Sequence, residues 1–214
     1  MTIASHADIE IASQPQIWRQ VAEFAPSVFG KLPQKGEKVA VVGCGSSWFM
    51  SMAYASLREA AGHGETDVYA GSEFNYSRKY DRVVSISRSG TTTEIVELLG
   101  KIKTPSVVLT AIHNSPVEDR ATETIIMDFA DEKSVLQTRW ATAALGLLRA
   151  HLGLDLNSIV KDAEGSVYPF AIWKKLIETG EYNVKSISGA EDNEFLLYRL
   201  TEEEIAVRKK KRAE

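Results

Sequence analysis

Five short apolar runs, separated by glycine- and hydroxyl-rich turns and by helical patterns, constrain this chain more than any other feature. Val39-Ala40-Val41-Val42-Gly43 is stopped by glycine and reads as a buried strand. Phe49, Met52, Ala53, Ser56, Leu57 and Ala60 then recur at i, i+3, i+4, i+7, i+8 and i+11, the spacing of an amphipathic helix. Further strands are predicted at Asp67–Ala70, Arg82–Ile86, Ser106–Thr110 and Thr124–Met127. Ile95, Val96, Leu98 and Leu99 mark a second helix, and a long one is expected from about Ser134 to His151. The alternation predicts an α/β fold: a three-layer sandwich with a five-stranded parallel sheet in the middle. Right-handed crossovers place helices on both faces of such a sheet. Ligands bind beyond the carboxyl ends of its strands, so the loops after Val42, Ala70, Ile86 and Thr110 are the first places to look.

The flanks read differently. Residues 1–37 form a short arm and a helix opening at Gln14-Pro15-Gln16, with Ile17, Trp18, Val21 and Phe24 at helical spacing. Residues 38–154 hold the α/β pattern, and residues 155–214 read as an extension. There a helix is expected from Tyr168 to Thr179, and Tyr182–Ile187 and Glu194–Tyr198 could pair as a hairpin. A last helix opens on a Thr201/Glu204 capping box and ends in the basic cluster Arg208–Arg212, the order a helix dipole favours. A length of 214 residues fits one domain with an appendage.

Charge and cysteine narrow the function classes. Lys and Arg number 25 against 29 Asp and Glu, a net charge of -4, with no basic excess for nucleic acid. No apolar run approaches the ~20 residues that span a bilayer. The first residues lack the basic start of a signal peptide, and a single cysteine, Cys44, excludes an intrachain disulfide. The expectation is a cytoplasmic protein without nucleic-acid or membrane partners.

Two strand-to-helix loops carry the chemistry. Gly43-Cys44-Gly45-Ser46-Ser47 joins glycines, which let backbone approach a ligand, to a helix start that offers N–H groups to an anion. Plain N-capping by serine explains it equally well. Ser87-Arg88-Ser89-Gly90-Thr91-Thr92-Thr93-Glu94 is richer in hydroxyls than capping requires. A Thr91/Glu94 capping box accounts for two of its residues, and the rest suit a phosphomonoester. A dinucleotide fold fits poorly, because the third glycine position of G-x-G-x-x-G holds Trp48 and no acid ends the second strand. A methyltransferase-like first loop leaves the second loop without a task. Asp131-Glu132-Lys133-Ser134-Val135-Leu136-Gln137-Thr138-Arg139 could reach a polar ligand with Gln137, Thr138 and Arg139. Standing alone it reads as a surface helix start, Asp131 the cap and Glu132 and Lys133 in water. The four histidines and Cys44 show no metal spacing, and no cofactor is expected.

These loops together resemble the sugar isomerase (SIS) domain family, a flavodoxin- or Rossmann-like fold that includes the isomerase half of glucosamine-6-phosphate synthase. Gly43–Ser47 resembles its G-C-G-[ST]-S, Ser87–Thr92 its S-x-S-G-x-T, and Glu132–Arg139 its E-x-x-V-x-[SQ]-T-[KR]. Ile11–Trp18 and Ser72-Glu73-Phe74 add support, and the likeness spans about residues 9–153. The resemblance implies a hexose or amino-hexose 6-phosphate as ligand. Its phosphate would be held by Ser47, Ser87, Ser89 and Thr92, with Gly45, Ser46, Arg88 and Gly90 completing the cradle. Val135 and Gln137, with Thr138 beside them, match the sugar-contacting positions. Arg88 stands where the family often has glutamine and would contribute mainly backbone.

The resemblance also implies a homodimer and the chemistry of an aldose–ketose isomerase or amino-sugar-phosphate deaminase. That chemistry needs a positioned base. Double-domain members take it from a second SIS domain, whose pattern is absent after Asp155, and the single-domain positions hold Ser56 and Leu145. Glu73 is the nearest local candidate. Phosphosugar binding is therefore the first expectation, with catalysis completed by a second subunit or a non-catalytic sensing module as alternatives.

Overall fold

In a computed structural model of the chain, residues 6–135, 137–154, 182–187 and 194–213 are described. The five predicted strands form as β1 (Val39–Gly43), β2 (Thr66–Ala70), β3 (Arg82–Ile86), β4 (Ser106–Thr110) and β5 (Glu123–Ile126). All pair in parallel, in the order β2-β1-β3-β4-β5.

Successive residues of each strand point to opposite faces, which divides the core in two. Val39, Val41, Val84, Ile86, Val107, Leu109 and Ile125 pack beneath α1 (His6–Phe24), α2 (Ser46–Ala60) and α4 (Arg139–His151), where Ile17, Val21, Tyr54, Trp140 and Leu147 meet them. Ala40, Val42, Val83 and Val108 face Ile95, Leu98 and Leu99 of α3 (Thr93–Lys101), closed by Phe74 and Tyr80. With both faces covered, β1 and β4 are buried at every position, which is why they read as unbroken apolar runs rather than alternating ones. Each fully buried valine or leucine contributes roughly 1.5–3 kcal/mol of transfer free energy.

The helices depart from expectation in three places. α1 begins at His6, so Pro15 lies inside it rather than at its start. The lost N–H is offset by partners elsewhere: Glu10, 4% exposed, accepts main-chain N–H groups of the segment leading into α4, and Gln14, 5% exposed, accepts the Thr142 hydroxyl of α4 at 3.2 Å. In α2 the apolar stripe is not the buried face, since Phe49 and Met52 are exposed. Ser47, Ser51, Tyr54, Ala55 and Arg58 turn inward instead. Arg58 is fully buried because its guanidinium donates to the carbonyls of Gly64, Gln34 and Glu37 and to the Thr66 hydroxyl at 2.9–3.1 Å. α4 begins at Arg139, five residues after Ser134, for a reason given below.

The chain divides into two compact units, Met1–Leu156 and Asn157–Glu214. In the second, β6 (Tyr182–Ile187) pairs antiparallel with β7 (Glu194–Arg199), Tyr182 opposite Arg199 and Ile187 opposite Glu194. The expected hairpin therefore forms. So does the capping box of α5 (Glu202–Ala213): Thr201 N–H donates to the Glu204 carboxylate at 2.8 Å, and Glu204 N–H donates back to the Thr201 hydroxyl at 3.3 Å. The helix expected at Tyr168–Thr179 lies outside the described residues. Among the described residues no helix is long and apolar enough to cross a membrane, and no group of three or more metal-ligating side chains gathers.

Candidate functional site

The strand order reverses at β1. The crossover from β1 goes to β2 on one side, whereas β3 pairs on the other. α2 leaves β1 over one face of the sheet and α3 leaves β3 over the opposite face. Such a switch point opens a crevice between the two departing loops. Gly43 lies opposite Ile86 in the ladder, so the Gly43–Ser47 and Ser87–Thr92 loops leave adjacent strands at the same level.

Glycine geometry holds both loops close. A Cβ on Gly43 would lie 2.6 Å from the Ser47 carbonyl carbon, so the first turn of α2 folds back directly over the strand end. Gly45 has φ +56°, in the left-handed region, and stands at the N-cap of α2 with no side-chain cap. Ser46 is half-buried and Ser47 is 3% exposed. In the second loop Ser87 is buried and its hydroxyl donates to the Thr92 hydroxyl at 3.1 Å. Thr92 is the N-cap of α3, again without a side-chain cap. The expected Thr91/Glu94 capping box does not form, because Thr91 N–H and hydroxyl both donate to the Ser89 hydroxyl, at 3.3 and 2.9 Å. Two helix starts thus lie on neighbouring strands with hydroxyls around them, although Ser47 and Trp48 N–H of α2 also donate to the Cys44 and Gly45 carbonyls at 3.2 and 3.0 Å.

The loop after β2 joins the same place. A Cβ on Gly71 would lie 2.7 Å from Glu94 Cβ and 3.1 Å from Cys44 Sγ. Burial pushes the Cys44 thiol up, the Gly71 N–H opposes and Glu94 adds to the rise, so Cys44 stays a thiol at neutral pH. Glu73, in the short turn Gly71–Glu73, is exposed, and its carboxylate accepts from the Ser72 hydroxyl at 3.0 Å.

The segment before α4 is not a solvated helix start. Glu132 is 3% exposed. Its carboxylate accepts Thr138 N–H at 2.9 Å, the Thr138 hydroxyl at 3.1 Å and Arg139 N–H at 3.0 Å, which caps α4 from six residues upstream. That cap, rather than Asp131, delays the helix to Arg139. Glu10 of α1 accepts Lys133 N–H at 2.5 Å and Ser134 N–H at 3.3 Å. Burial raises the Glu10 carboxyl, but those hydrogen bonds and the Arg139 charge outweigh it and hold the group below its ordinary range. Val135 is almost fully exposed, and Gln137 Oε1 is shielded from solvent without a hydrogen-bond partner.

A cavity of about 230 Å³ lies between α1 and residues 131–139, beside Glu10, Lys133 and Arg139, and not between the two hydroxyl-bearing loops. The loop tips Gly45 and Thr91 are exposed, which leaves the crevice open rather than enclosed. None of the residues lining that cavity comes from the two loops. Sequence reasoning also found no partner for His113. Its Nε2 lies 3.4 Å from the Asp128 carboxylate across the ends of β4 and β5, a pairing only the sheet order reveals.

The fold recurs in known proteins. The chain is 23% identical over 183 residues to the isomerizing glutamine–fructose-6-phosphate aminotransferase of Bacillus subtilis, covering 78% of this chain and 30% of that protein. Among solved structures it is similar to the C-terminal domain of glucosamine-fructose-6-phosphate aminotransferase from Francisella tularensis, with a TM-score of 0.59 and 22% identity over 70% of this chain and 47% of that one. This is the SIS fold. The Vibrio vulnificus NanR protein complexed with ManNAc-6P is also similar, with a TM-score of 0.54 and 20% identity over 69% of this chain and 61% of that one. No family model matches this chain. It spans about a third of the length of the curated relatives it matches.

Proposed function

We propose that this SIS domain binds a hexose or amino-hexose 6-phosphate, its phosphate seated in the crevice between β1 and β3. Gly45, Ser46, Ser47, Ser87, Arg88, Ser89, Gly90 and Thr92 form the cradle, with Arg88 lending its main chain. The sugar extends toward Val135, Gln137 and Thr138. The observation that carries the reading is the pair of helix starts without side-chain caps at the switch point, with Ser87 and Thr92 hydroxyls 3.1 Å apart between them. A phosphate dianion accepts several hydrogen bonds at once and matches that donor set.

Binding is favoured over complete catalysis by this chain alone. Glu10 and Glu132 are both tied to main-chain N–H groups, and Glu73 stands in solvent. An isomerase or deaminase activity would therefore take its base from a second subunit, consistent with a cytoplasmic homodimer. Residues 1–37 then act as arm and helix, 38–154 as the binding domain and 155–214 as an extension. Titration calorimetry with fructose 6-phosphate, glucosamine 6-phosphate and inorganic phosphate tests the reading. Saturable binding that falls at least tenfold in Ser87→Ala/Ser89→Ala is expected, since each lost hydrogen bond to a charged ligand removes roughly 1.5–3 kcal/mol. Absence of binding by the unmutated chain overturns it.

A further inference from the structure

Arg88 sits in the middle of the second loop, yet its side chain leaves the crevice. Its carbonyl accepts Ala111 N–H at 2.9 Å and the Thr110 hydroxyl at 3.0 Å, so its main chain is fixed to the end of β4. Its Nη1 lies 3.4 Å from Asp131 Oδ1 and donates to the Glu132 carbonyl. Asp131 is held a second time, because Arg139 Nη2 donates to its carbonyl while Arg139 Nη1 donates to the Ser13 hydroxyl at 3.1 Å. Two arginines thus grip one residue, one from the loop after β3 and one from the start of α4. Downstream, Glu10 and Glu132 take the remaining main-chain N–H groups of residues 133, 134, 138 and 139. The segment that carries Gln137 is therefore framed on three sides, and Arg88 is the strut that spans from it to the phosphate loop.

We infer that Arg88 is a positioning residue that sets the distance between the phosphate cradle and the Gln137 segment, and so selects the sugar that follows the phosphate. This rests on the phosphosugar reading above. The guanidinium does not act on the phosphate, because reaching it would break both contacts to residues 131 and 132. Its charge is balanced by Asp131 across the strut. Gln137 Oε1 is unpartnered and shielded from solvent, so a sugar hydroxyl meets it only if the side chain turns outward.

The test separates the sugar's share of affinity from the phosphate's. The full chain, Asp131→Asn, Arg88→Met and the double variant are titrated with inorganic phosphate and with glucose, fructose and glucosamine 6-phosphates at fixed ionic strength. Asp131→Asn is nearly isosteric and half-exposed, so the fold is kept, and circular dichroism verifies this. Asp131→Asn is expected to weaken the preferred hexose phosphate roughly 5- to 20-fold while inorganic phosphate changes less than about twofold. The three hexose phosphates should converge in affinity, and the double variant should lose no more than the worse single one. Equal loss of inorganic and sugar phosphate in Arg88→Met, with Asp131→Asn like the unmutated chain, makes Arg88 a phosphate ligand and overturns the inference. Unchanged selectivity in every variant overturns it too. Failure of the unmutated chain to bind inorganic phosphate or any hexose phosphate overturns the phosphosugar reading itself.

Discussion

A Cβ placed on Gly90 would stand 2.3 Å from the Ser115 hydroxyl oxygen and 2.4 Å from its Cβ. Gly90 also has φ +63°, and its carbonyl accepts Val117 N–H at 3.3 Å. The loop after β3 is therefore seated on the loop after β4 at a distance only glycine allows. Gly90→Ala is expected to lower stability by roughly 1–3 kcal/mol, through strain and overpacking, and to weaken phosphate binding at least tenfold by lifting Ser89 and Thr92. Urea unfolding and calorimetry on the same sample check both parts.

Glu132 supplies the α4 N-terminus with an anion from outside the helix. Glu132→Ala leaves Thr138 and Arg139 N–H groups without their acceptor in a place that water reaches poorly. A loss of roughly 2–4 kcal/mol is expected in urea unfolding, with Glu132→Gln intermediate because its carbonyl oxygen keeps part of the bonding. Equal stability of Glu132→Ala and the unmutated chain would remove the cap from this account.

How much of this was legible from residues alone follows from what each pattern encodes. β1, β3 and β4 were readable because strands buried on both faces draw mostly apolar residues, with Ser85, Ser106 and Thr110 as buried polar members. The two cradle loops were readable because glycine and hydroxyl residues there serve backbone geometry that few alternatives satisfy. Arg58 and Glu132 were not. A charged residue normally marks the wet side of a helix or turn, and their burial depends on partners, Gln34 for Arg58 and Thr138 for Glu132, that give no local signal. The phase of α2 was hidden for the same reason: burying Ser47, Ser51 and Arg58 leaves Phe49 and Met52 of its apolar stripe on the exposed side. Pro15 inside α1 misled because its cost is local whereas the gain, Glu10 against residues 133 and 134, lies far away in sequence.

His151 makes stability depend on pH. Burial, with the nearby His63 and Arg58 charges, lowers its imidazole from the usual 6.5 to about 4. The unfolded chain takes up this proton near pH 6.5 and the folded chain only near pH 4, so the unfolded state binds more protons between them. Stability is full above the unfolded value and falls as pH drops through that window, by roughly 1–2 kcal/mol after allowance for partial exposure of the ring. Glu10, held below its ordinary range, extends the loss to lower pH. His151→Leu should flatten the slope between pH 6.5 and 4.5 in urea unfolding, and an unchanged slope would exclude His151 as its source.

The proposed cradle is built from neutral donors, and that determines how binding should respond to salt and pH. Ser87, Ser89 and Thr92 contribute hydroxyls, the helix starts contribute N–H groups, and the one cation in the loop, Arg88, is paired with Asp131. Counterion displacement is then small, so raising salt from 50 to 200 mM should weaken inorganic phosphate by less than about threefold, far below the decades lost by sites built from several lysines and arginines. Affinity should instead follow the ligand. A phosphate monoester gains its second charge near pH 6, and the dianion fills more of the donors than the monoanion does. Binding of a hexose 6-phosphate should therefore strengthen several-fold from about pH 5 to about 7.5 and level off above, whereas sulfate, already a dianion, should vary little across the same range. Calorimetry with both anions separates the cases: a parallel pH response for sulfate and the hexose phosphate would mean that a protein group, not the ligand, carries the titration.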